Sequence, residues 1–196
     1  MSRHPDSVVT EVVLVRHGET EWSRTGKHTG RTDIPLTERG REQARAVGAA
    51  LESRRFARVL TSPLERAAET SLLAGFGDVA EPRNELMEWD YGDYEGRKTV
   101  DIRGERPGWT LWQDGVPGGE TAAQVGARVD RVIRELRALD GDAAVFGHGH
   151  LLRVLAARWL GLEPTAGQLF ALDPATISVL GYERETPVLQ SWNKAL

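Results

Sequence analysis

An arginine and a histidine stand side by side where an apolar segment near the amino terminus ends. Arg16 and His17 follow residues 8–15, a β-branched run typical of a buried strand, and Gly18 lets the chain turn tightly after them. A guanidinium presents a planar set of N–H donors that matches phosphate oxygens, and an imidazole nitrogen can accept a phosphoryl group. The pattern therefore suggests a phosphate site with a histidine nucleophile, which other segments must complete.

Three further residues supply the groups that phosphoryl transfer needs. Arg66 lies on the first turns of a predicted helix, His148 follows a buried strand, and Glu88 precedes an aromatic-rich segment. Transfer requires a nucleophile, positive donors for the phosphoryl oxygens and a proton source for the leaving oxygen. The candidates are His17 for the nucleophile, Glu88 for the acid, and Arg16, Arg66 and His148 for the donors.

Strand and helix patterns alternate along the chain, which is typical of an α/β fold. We predict a single domain over residues 1–196, with a mostly parallel central sheet flanked by helices. The carboxyl ends of parallel strands meet at one edge of a sheet, so the candidate site residues are expected to converge there. The predicted strands are residues 8–15, 58–61, 143–146 and 177–182, and the predicted helices are 37–53, 120–139 and 151–160, with another beginning at Ser62.

Two segments carry more specific expectations. Ser62-Pro63-Leu64-Glu65 has the serine, proline and glutamate of a capping box, which predicts that a helix begins with Ser62 as its N-cap. Residues 81–117 are irregular and rich in aromatic residues, which favours a small cap over the site. Within this cap, Trp109 and Trp112 are expected to contact the part of the substrate beyond its phosphate.

Composition excludes several classes of function. The chain has 196 residues, 40% of them hydrophobic, and a net charge of −4 with no basic run, so nucleic-acid binding is not expected. There is no cysteine, which rules out thiolate metal sites, and the pair His148 and His150 lacks an evident third ligand. We therefore predict no metal and no cofactor.

The sequence shows no membrane span, so we expect a cytoplasmic protein. Its oligomeric state stays open, and a homodimer is one alternative.

Spaced motifs run in order through most of the chain, from about residue 12 to residue 160. On these motifs the chain resembles the histidine phosphatase superfamily, in its phosphoglycerate-mutase-like branch. The motifs are residues 16–22, Thr29-Gly30, Leu36-Thr37 with Gly40, Ser62-Pro63 through Arg66 and Thr70, Glu88 with Tyr91-Gly92 and Glu95-Gly96, Gly119-Glu120, and His148-Gly149.

The resemblance implies a role for each matching residue. His17 corresponds to the phosphorylated nucleophile, and Glu88 to the group that protonates the leaving group and then helps to activate water. The phosphate pocket and the substrate contacts that the resemblance implies comprise Arg16, Ser23, Thr29, Gly30, Arg66, Tyr91, His148, Gly149 and His150. Ser23 departs from the asparagine of many members and reaches less far. For His150 and Arg153, substrate contact and a structural role both stay open.

Within the superfamily, the segment from His148 to Arg153, with the motif around Glu88, resembles bacterial acid phosphatases and sedoheptulose-bisphosphatase-like enzymes. This resemblance implies hydrolysis of small phosphorylated metabolites, either a sugar phosphate or bisphosphate or a broad range of phosphomonoesters. Because His17 must be neutral to attack and Glu88 must carry a proton, we also predict a rate optimum in the acid-to-neutral range. A phosphoglycerate mutase is one alternative. It is less favoured because residues 92–119 are few and lack paired arginines. A non-catalytic phosphate-binding module is the other.

Overall fold

A computed structural model describes residues 11–196, in which six strands form one sheet. The strands are β1 (Val12–Arg16), β2 (Arg58–Thr61), β3 (Ala80–Pro82), β4 (Ala143–Gly147), β5 (Ile177–Glu183) and β6 (Thr186–Lys194). The α-helices are α1 (Glu21–Thr25), α2 (Glu38–Leu51), α3 (Glu65–Ser71), α4 (Thr99–Glu105), α5 (Leu111–Asp114), α6 (Ala122–Arg137) and α7 (Gly149–Trp159).

The strands lie in the order β3-β2-β4-β1-β5-β6. The first four are parallel, while β5 pairs antiparallel with β1 and β6 antiparallel with β5. The predicted mostly parallel sheet flanked by helices is thus confirmed. The edge strand β6 was not predicted, because its half-buried sequence, with Pro187 near its start, has neither a continuous apolar run nor strict alternation.

Helices cover both faces of the sheet, and β1 shows this in its alternation. Val12 and Leu14 belong to one buried cluster, together with apolar residues of α6 and α7. Val13 and Val15 belong to a second cluster, which includes residues of α2. Because both faces are buried, β1 reads as a continuous apolar run rather than as alternating polar and apolar residues.

Several predicted boundaries shift. The predicted helix at 120–139 is α6, which has a capping box formed by Thr121 and Gln124. The helix predicted for 151–160 begins two residues earlier, with His148 as N-cap. Of the strand predicted for 8–15, residues 8–10 lie outside the described part of the chain.

The prediction that a helix begins with Ser62 as its N-cap is wrong. Helix α3 begins at Glu65, and Leu64 is its N-cap. The Ser62 hydroxyl accepts a hydrogen bond from the backbone N–H of Leu64 and contacts His148, so it is engaged elsewhere.

The aromatic-rich segment contains β3, α4, α5 and two short 3-10 turns. Its tryptophans are buried rather than facing a ligand: Trp109 is 2% exposed and Trp112 is 9% exposed. The Trp109 indole donates to the Gly115 carbonyl, and neither tryptophan lines the cavity described below. The structure therefore does not support the expectation that they contact substrate; Trp109 packs against His28 and Trp112 against His150, two residues that line the cavity. No helix among residues 11–196 has the length and apolar character needed to cross a bilayer.

Candidate active site

Three neighbouring strands bring the candidate residues to one edge of the sheet. β1 pairs with β4, which also pairs with β2, so the segments that follow these strands are adjacent. The backbone N–H of His17 donates to the Gly147 carbonyl at 3.0 Å, and that of Ser62 donates to the Phe146 carbonyl at 3.0 Å. The predicted convergence of the loops therefore follows from strand order and register.

The nucleophile candidate His17 is 4% exposed and has a defined tautomer. Its Nδ1 lies 2.7 Å from the carbonyl oxygen of Gly18. A carbonyl can only accept a hydrogen bond, so Nδ1 carries the proton and Nε2 carries the lone pair. The imidazole is thus held with an unprotonated nitrogen available for attack.

Burial first, and then the charges of Arg66 and Arg16, hold the pKa of His17 well below its ordinary value. The imidazole is therefore neutral at neutral pH, as a nucleophile must be. The hydrogen bond to Gly18 opposes this shift but does not reverse it.

The three expected phosphate donors each have a buried nitrogen with no hydrogen-bond partner. These nitrogens are Nε of Arg16, Nε of Arg66 and Nδ1 of His148, and within residues 11–196 only one other buried side-chain atom, a Glu69 oxygen, shares this state. Unpaired buried polar groups are costly, and the two arginine nitrogens are always donors, so their position near His17 and His148 indicates a site for an anion. A phosphoryl group has the oxygens that would satisfy them.

Arg66 is fully buried, unlike most arginines on a helix. Its two Nη atoms donate to the backbone carbonyls of Thr29, Gly30 and Thr32, which orient the guanidinium and leave Nε free. Arg16 is anchored by a hydrogen bond from Nη1 to the Leu172 carbonyl. Both cations are therefore held by backbone carbonyls rather than by carboxylates that would neutralise them.

Glu88 is held at the amino-terminal end of α7. Its carboxylate accepts hydrogen bonds from the backbone N–H groups of Trp89, His150 and Leu151 at 2.8 to 3.0 Å. Only 4% of Glu88 is exposed, yet it lines the same cavity as His17. The carboxyl group is thus fixed in the wall of the cavity that His17 also lines.

A cavity opens from this cluster to the surface. Its lining residues are Arg16, His17, Ser23, Lys27, His28, Thr29, Glu88, Tyr91, Gly149, His150, Arg153 and Leu172. The lining therefore includes five of the expected substrate contacts: Ser23, Thr29, Tyr91, Gly149 and His150. The Ser23 hydroxyl also completes the capping box of α1 with Thr20.

Of the predicted site residues, Gly30, Arg66 and His148 are not among those that line the cavity. The backbone N–H of Gly30 donates to Glu95 Oε1 at 2.8 Å, and its carbonyl accepts from Arg66. An added Cβ would lie 2.6 Å from the Trp89 carbonyl oxygen, so only glycine fits there. The structure thus places Gly30 behind Arg66, where it orients that guanidinium.

Sequence reasoning missed Lys27 and His28 as cavity residues. The ring centroid of His28 lies 4.8 Å from that of Tyr91, and its Nε2 lies 3.2 Å from the Thr99 hydroxyl. Burial lowers the pKa of His28 to about 4. The available signal was their position directly before Thr29-Gly30. That signal is weak, because the contacts of His28 come from the distant 91–109 segment.

His150 is part of the same cavity wall. Its Nδ1 lies 2.6 Å from the Tyr91 hydroxyl, and its ring packs 5.4 Å from that of Trp112. Burial first, and then the charge of Arg153, hold the pKa of His150 well below its ordinary value. The wall beyond the phosphate donors thus presents neutral imidazoles and a phenol. Within residues 11–196, no group of three potential metal ligands comes together.

Comparison with known proteins agrees with this arrangement. The family described as histidine phosphatase superfamily (branch 1) matches residues 12–195. An acid phosphatase of Mycobacterium tuberculosis is 40% identical over 176 residues, covering 88% of this chain and 86% of the relative. Sedoheptulose 1,7-bisphosphatase of Saccharomyces cerevisiae is 38% identical over 189 residues, covering 80% of this chain and 69% of the relative.

Another relative, a probable phosphoglycerate mutase GpmB of an Enterobacter species, is 30% identical over 93% of this chain and 89% of its own. The solved structure of the product of open reading frame Rv3214 from Mycobacterium tuberculosis has a TM-score of 0.90 and 38% identity, covering 95% of this chain and 98% of that one. The resemblance predicted from the motifs is confirmed: this chain belongs to branch 1 of the histidine phosphatase superfamily.

Proposed function

We propose that this protein hydrolyses phosphomonoesters through a phosphohistidine at His17, without a metal ion. The observation that carries the proposal is the set of three unpartnered buried nitrogens, from Arg16, Arg66 and His148, around a neutral imidazole. These donors match the non-bridging oxygens of a phosphoryl group, and the imidazole offers a lone pair to phosphorus.

The reaction proceeds in two transfers. In the first, His17 Nε2 attacks phosphorus, the bond from phosphorus to the leaving oxygen breaks, and Glu88 gives its proton to that oxygen. In the second, the Glu88 carboxylate takes a proton from water while the water oxygen attacks phosphorus and the N–P bond breaks. The products are an alcohol and inorganic phosphate, and the enzyme returns to its starting state.

The outer part of the cavity supports phosphorylated sugars with a second anionic group as substrates. Lys27 and Arg153 line it, and neither forms an ion pair with a carboxylate of residues 11–196. The Arg153 guanidinium is held over the Trp112 ring and by backbone carbonyls. Two unpaired cations beside neutral hydrogen-bonding groups suit an anion attached to a polyol. The relative named sedoheptulose 1,7-bisphosphatase supports this choice.

A mutase remains a second candidate, since several relatives are named probable phosphoglycerate mutase GpmB. A mutase must return the phosphoryl group to an acceptor before water reaches it. The residues between Gly92 and Gly119 are few and form only α4, α5 and a 3-10 turn. A segment this short favours hydrolysis, and the absence of adjacent arginines in it leaves no paired guanidinium for a substrate carboxylate.

The test uses the purified protein with four compounds: fructose 1,6-bisphosphate, fructose 6-phosphate, p-nitrophenyl phosphate and 3-phosphoglycerate. We expect phosphate release in the presence of a chelator, highest kcat/KM for the bisphosphate, and an acid-labile, base-stable radioactive label from a labelled substrate. His17→Ala should lose both turnover and label. Interconversion of phosphoglycerates faster than phosphate release would favour the mutase, and turnover by His17→Ala would overturn the proposal.

The substrate class has its own test. Lys27→Met and Arg153→Met are each expected to raise KM for the bisphosphate about tenfold, since each removes a charge-assisted contact of roughly 1.5 kcal/mol. The effect on KM for p-nitrophenyl phosphate should be smaller, because that substrate has no second anion. Equal effects on both substrates would contradict the second anionic group and leave the phosphatase proposal intact.

A further inference from the structure

Ser62 lies beneath the phosphate donors and touches one of them. It follows β2, its side chain is fully buried, and its Oγ is 2.8 Å from Nε2 of His148. The same oxygen accepts a hydrogen bond of 3.2 Å from the backbone N–H of Leu64. Ser62 belongs to one of the motifs that carry the family resemblance, but the only role predicted for it was that of a helix cap, and the proposed phosphatase mechanism does not use it.

The protons around Ser62 can be counted. A hydroxyl has one proton to donate, and one of its lone pairs is already occupied by the Leu64 N–H. If His148 donated from Nε2, the Ser62 hydroxyl proton would be buried, and no other acceptor within residues 11–196 lies within hydrogen-bond distance of it. If Ser62 donates to Nε2, the proton of His148 lies on Nδ1, and every group is satisfied on this side.

The arrangement in which Ser62 donates to Nε2 also fits the surroundings of Nδ1, on the opposite side of the imidazole. Nδ1 of His148 is buried and has no protein partner, and the ring lies 5.2 Å from that of His17. Beside Arg66 and His17 the ring is held neutral, because burial and then the charge of Arg66 lower the pKa of His148 well below its ordinary value. A neutral imidazole donates from one nitrogen only, so the partner of Nε2 decides whether Nδ1 can donate.

We propose that Ser62 is a positioning residue that selects the Nδ1–H tautomer of His148. In this role it turns an uncharged histidine into a hydrogen-bond donor for a phosphoryl oxygen. The inference rests on the proposed function, in which that oxygen occupies the site. A donor without charge has a consequence: it stabilises the phosphoryl group without adding a third cation beside His17.

A double-mutant cycle separates this role from a structural one. Ser62→Ala should lower kcat/KM for p-nitrophenyl phosphate about tenfold, the loss of one well-placed hydrogen bond. In a His148→Ala background the same substitution should change kcat/KM by less than about twofold, because its target is gone. A tenfold loss in both backgrounds would show that Ser62 acts through α3 and Arg66, and would overturn the inference.

The tautomer can be measured directly in the unaltered protein. Nitrogen-15 NMR of histidine-labelled protein distinguishes protonated from unprotonated ring nitrogens, and the chain has five histidines, so His148→Ala assigns the signals. We expect His148 protonated at Nδ1 and unprotonated at Nε2. The reverse pattern would overturn the inference even if every Ser62 variant failed to fold.

A matched control is available in α3, the helix that follows Ser62. Ser71 is 2% exposed, and its hydroxyl donates only to the Ala68 carbonyl within the helix. Ser71→Ala should leave both kcat/KM and the His148 signals unchanged. The NMR result does not depend on turnover, so failure of the inference is distinguishable from failure of the phosphatase proposal, which His17→Ala tests.

Discussion

At the scale of single residues, the site depends on which atom carries each proton. The Gly18 carbonyl places the His17 proton on Nδ1, and Ser62 is positioned to do the same for His148. Neither outcome is visible in the residue types, because a neutral imidazole has two tautomers of similar energy. Both depend on one oxygen atom placed within 2.8 Å of a ring nitrogen.

The acid role of Glu88 predicts a dependence on the leaving group. Glu88→Gln should lower kcat/KM for glycerol phosphate by roughly 10²–10³, since its alkoxide cannot leave without a proton. The loss for p-nitrophenyl phosphate should be at least about tenfold smaller, because its phenolate is a stable leaving group. Steady-state assays of both substrates check this. Equal losses would mean that Glu88 only positions other groups.

At the scale of elements, α6 supports the acid from behind. Arg128 on this helix is 7% exposed, forms a bidentate pair with Glu120, and donates to the backbone carbonyls of Glu85, Met87 and Glu88. The 85–88 segment has no strand or long helix of its own to fix it. One guanidinium therefore fixes the backbone of this segment, as the hydrogen bonds of a helix or strand would. It also couples α6 to the position of the proposed acid.

Arg128→Met should cost roughly 3–5 kcal/mol of unfolding free energy, because it removes a buried guanidinium that donates to the Glu120 carboxylate and to three backbone carbonyls. It should also lower kcat, since the backbone of Glu88 is released. Arg131→Met on the same helix is the control: its side chain is 55% exposed and should change stability by less than about 0.5 kcal/mol. Urea denaturation compares the two. Similar values for both variants would refute the support role.

Helix α2 packs closely against the segment that follows His17, and a glycine of the helix makes this contact. A Cβ on Gly40 would lie 2.2 Å from the Glu19 carbonyl oxygen, so Gly40→Ala should cost about 1–3 kcal/mol although alanine favours helices. In α4, a Cβ on Gly104 would meet nothing within 4 Å, so Gly104→Ala should stabilise by about 0.5–1 kcal/mol. Thermal unfolding should therefore show shifts of opposite sign. A gain for both would mean that the α2 contact yields easily.

At the scale of the whole molecule, buried neutral histidines couple stability to pH. The pKa of His28 falls to about 4, and those of His17, His148 and His150 lie well below their ordinary value, all chiefly through burial. In the unfolded chain each has a pKa of about 6.5. Below that pH the unfolded state binds protons that the folded state does not. The contribution of these histidines to the free energy of unfolding is therefore fully present above pH 6.5, and it is lost as the pH falls toward 4.

We expect the free energy of unfolding to decrease between pH 7 and pH 5 by up to about 1.4 kcal/mol per pH unit for each such histidine. Urea denaturation at several pH values measures the slope. His28→Asn removes one of these groups, so the slope should decrease by the contribution of about one bound proton. This change in slope is expected whatever the effect of the substitution on stability at pH 7. A free energy that stays constant from pH 7 to pH 5 would contradict the burial of neutral imidazoles.

The amino-acid sequence by itself determined the chemistry and the class of fold. His17, Arg66 and His148 are residue types with defined reactivity that stand just after predicted strands or at a helix start, and parallel topology places such positions at one sheet edge. These are local features, since a strand or helix is visible within about ten residues of its own sequence. Short helices and the edge strand β6 were not recognised, because their own sequences contain too little of such a pattern.

Contacts between distant segments were settled by folding alone. Ser62 and His148 are 86 positions apart, and the Arg66 guanidinium is oriented by carbonyls more than 30 positions before it. Lys27 and His28 enter the cavity only because their segment pairs with the 96–98 region. Periodicity and motif spacing describe neighbours along the chain, whereas tautomers, buried charges and cavity walls depend on neighbours in space.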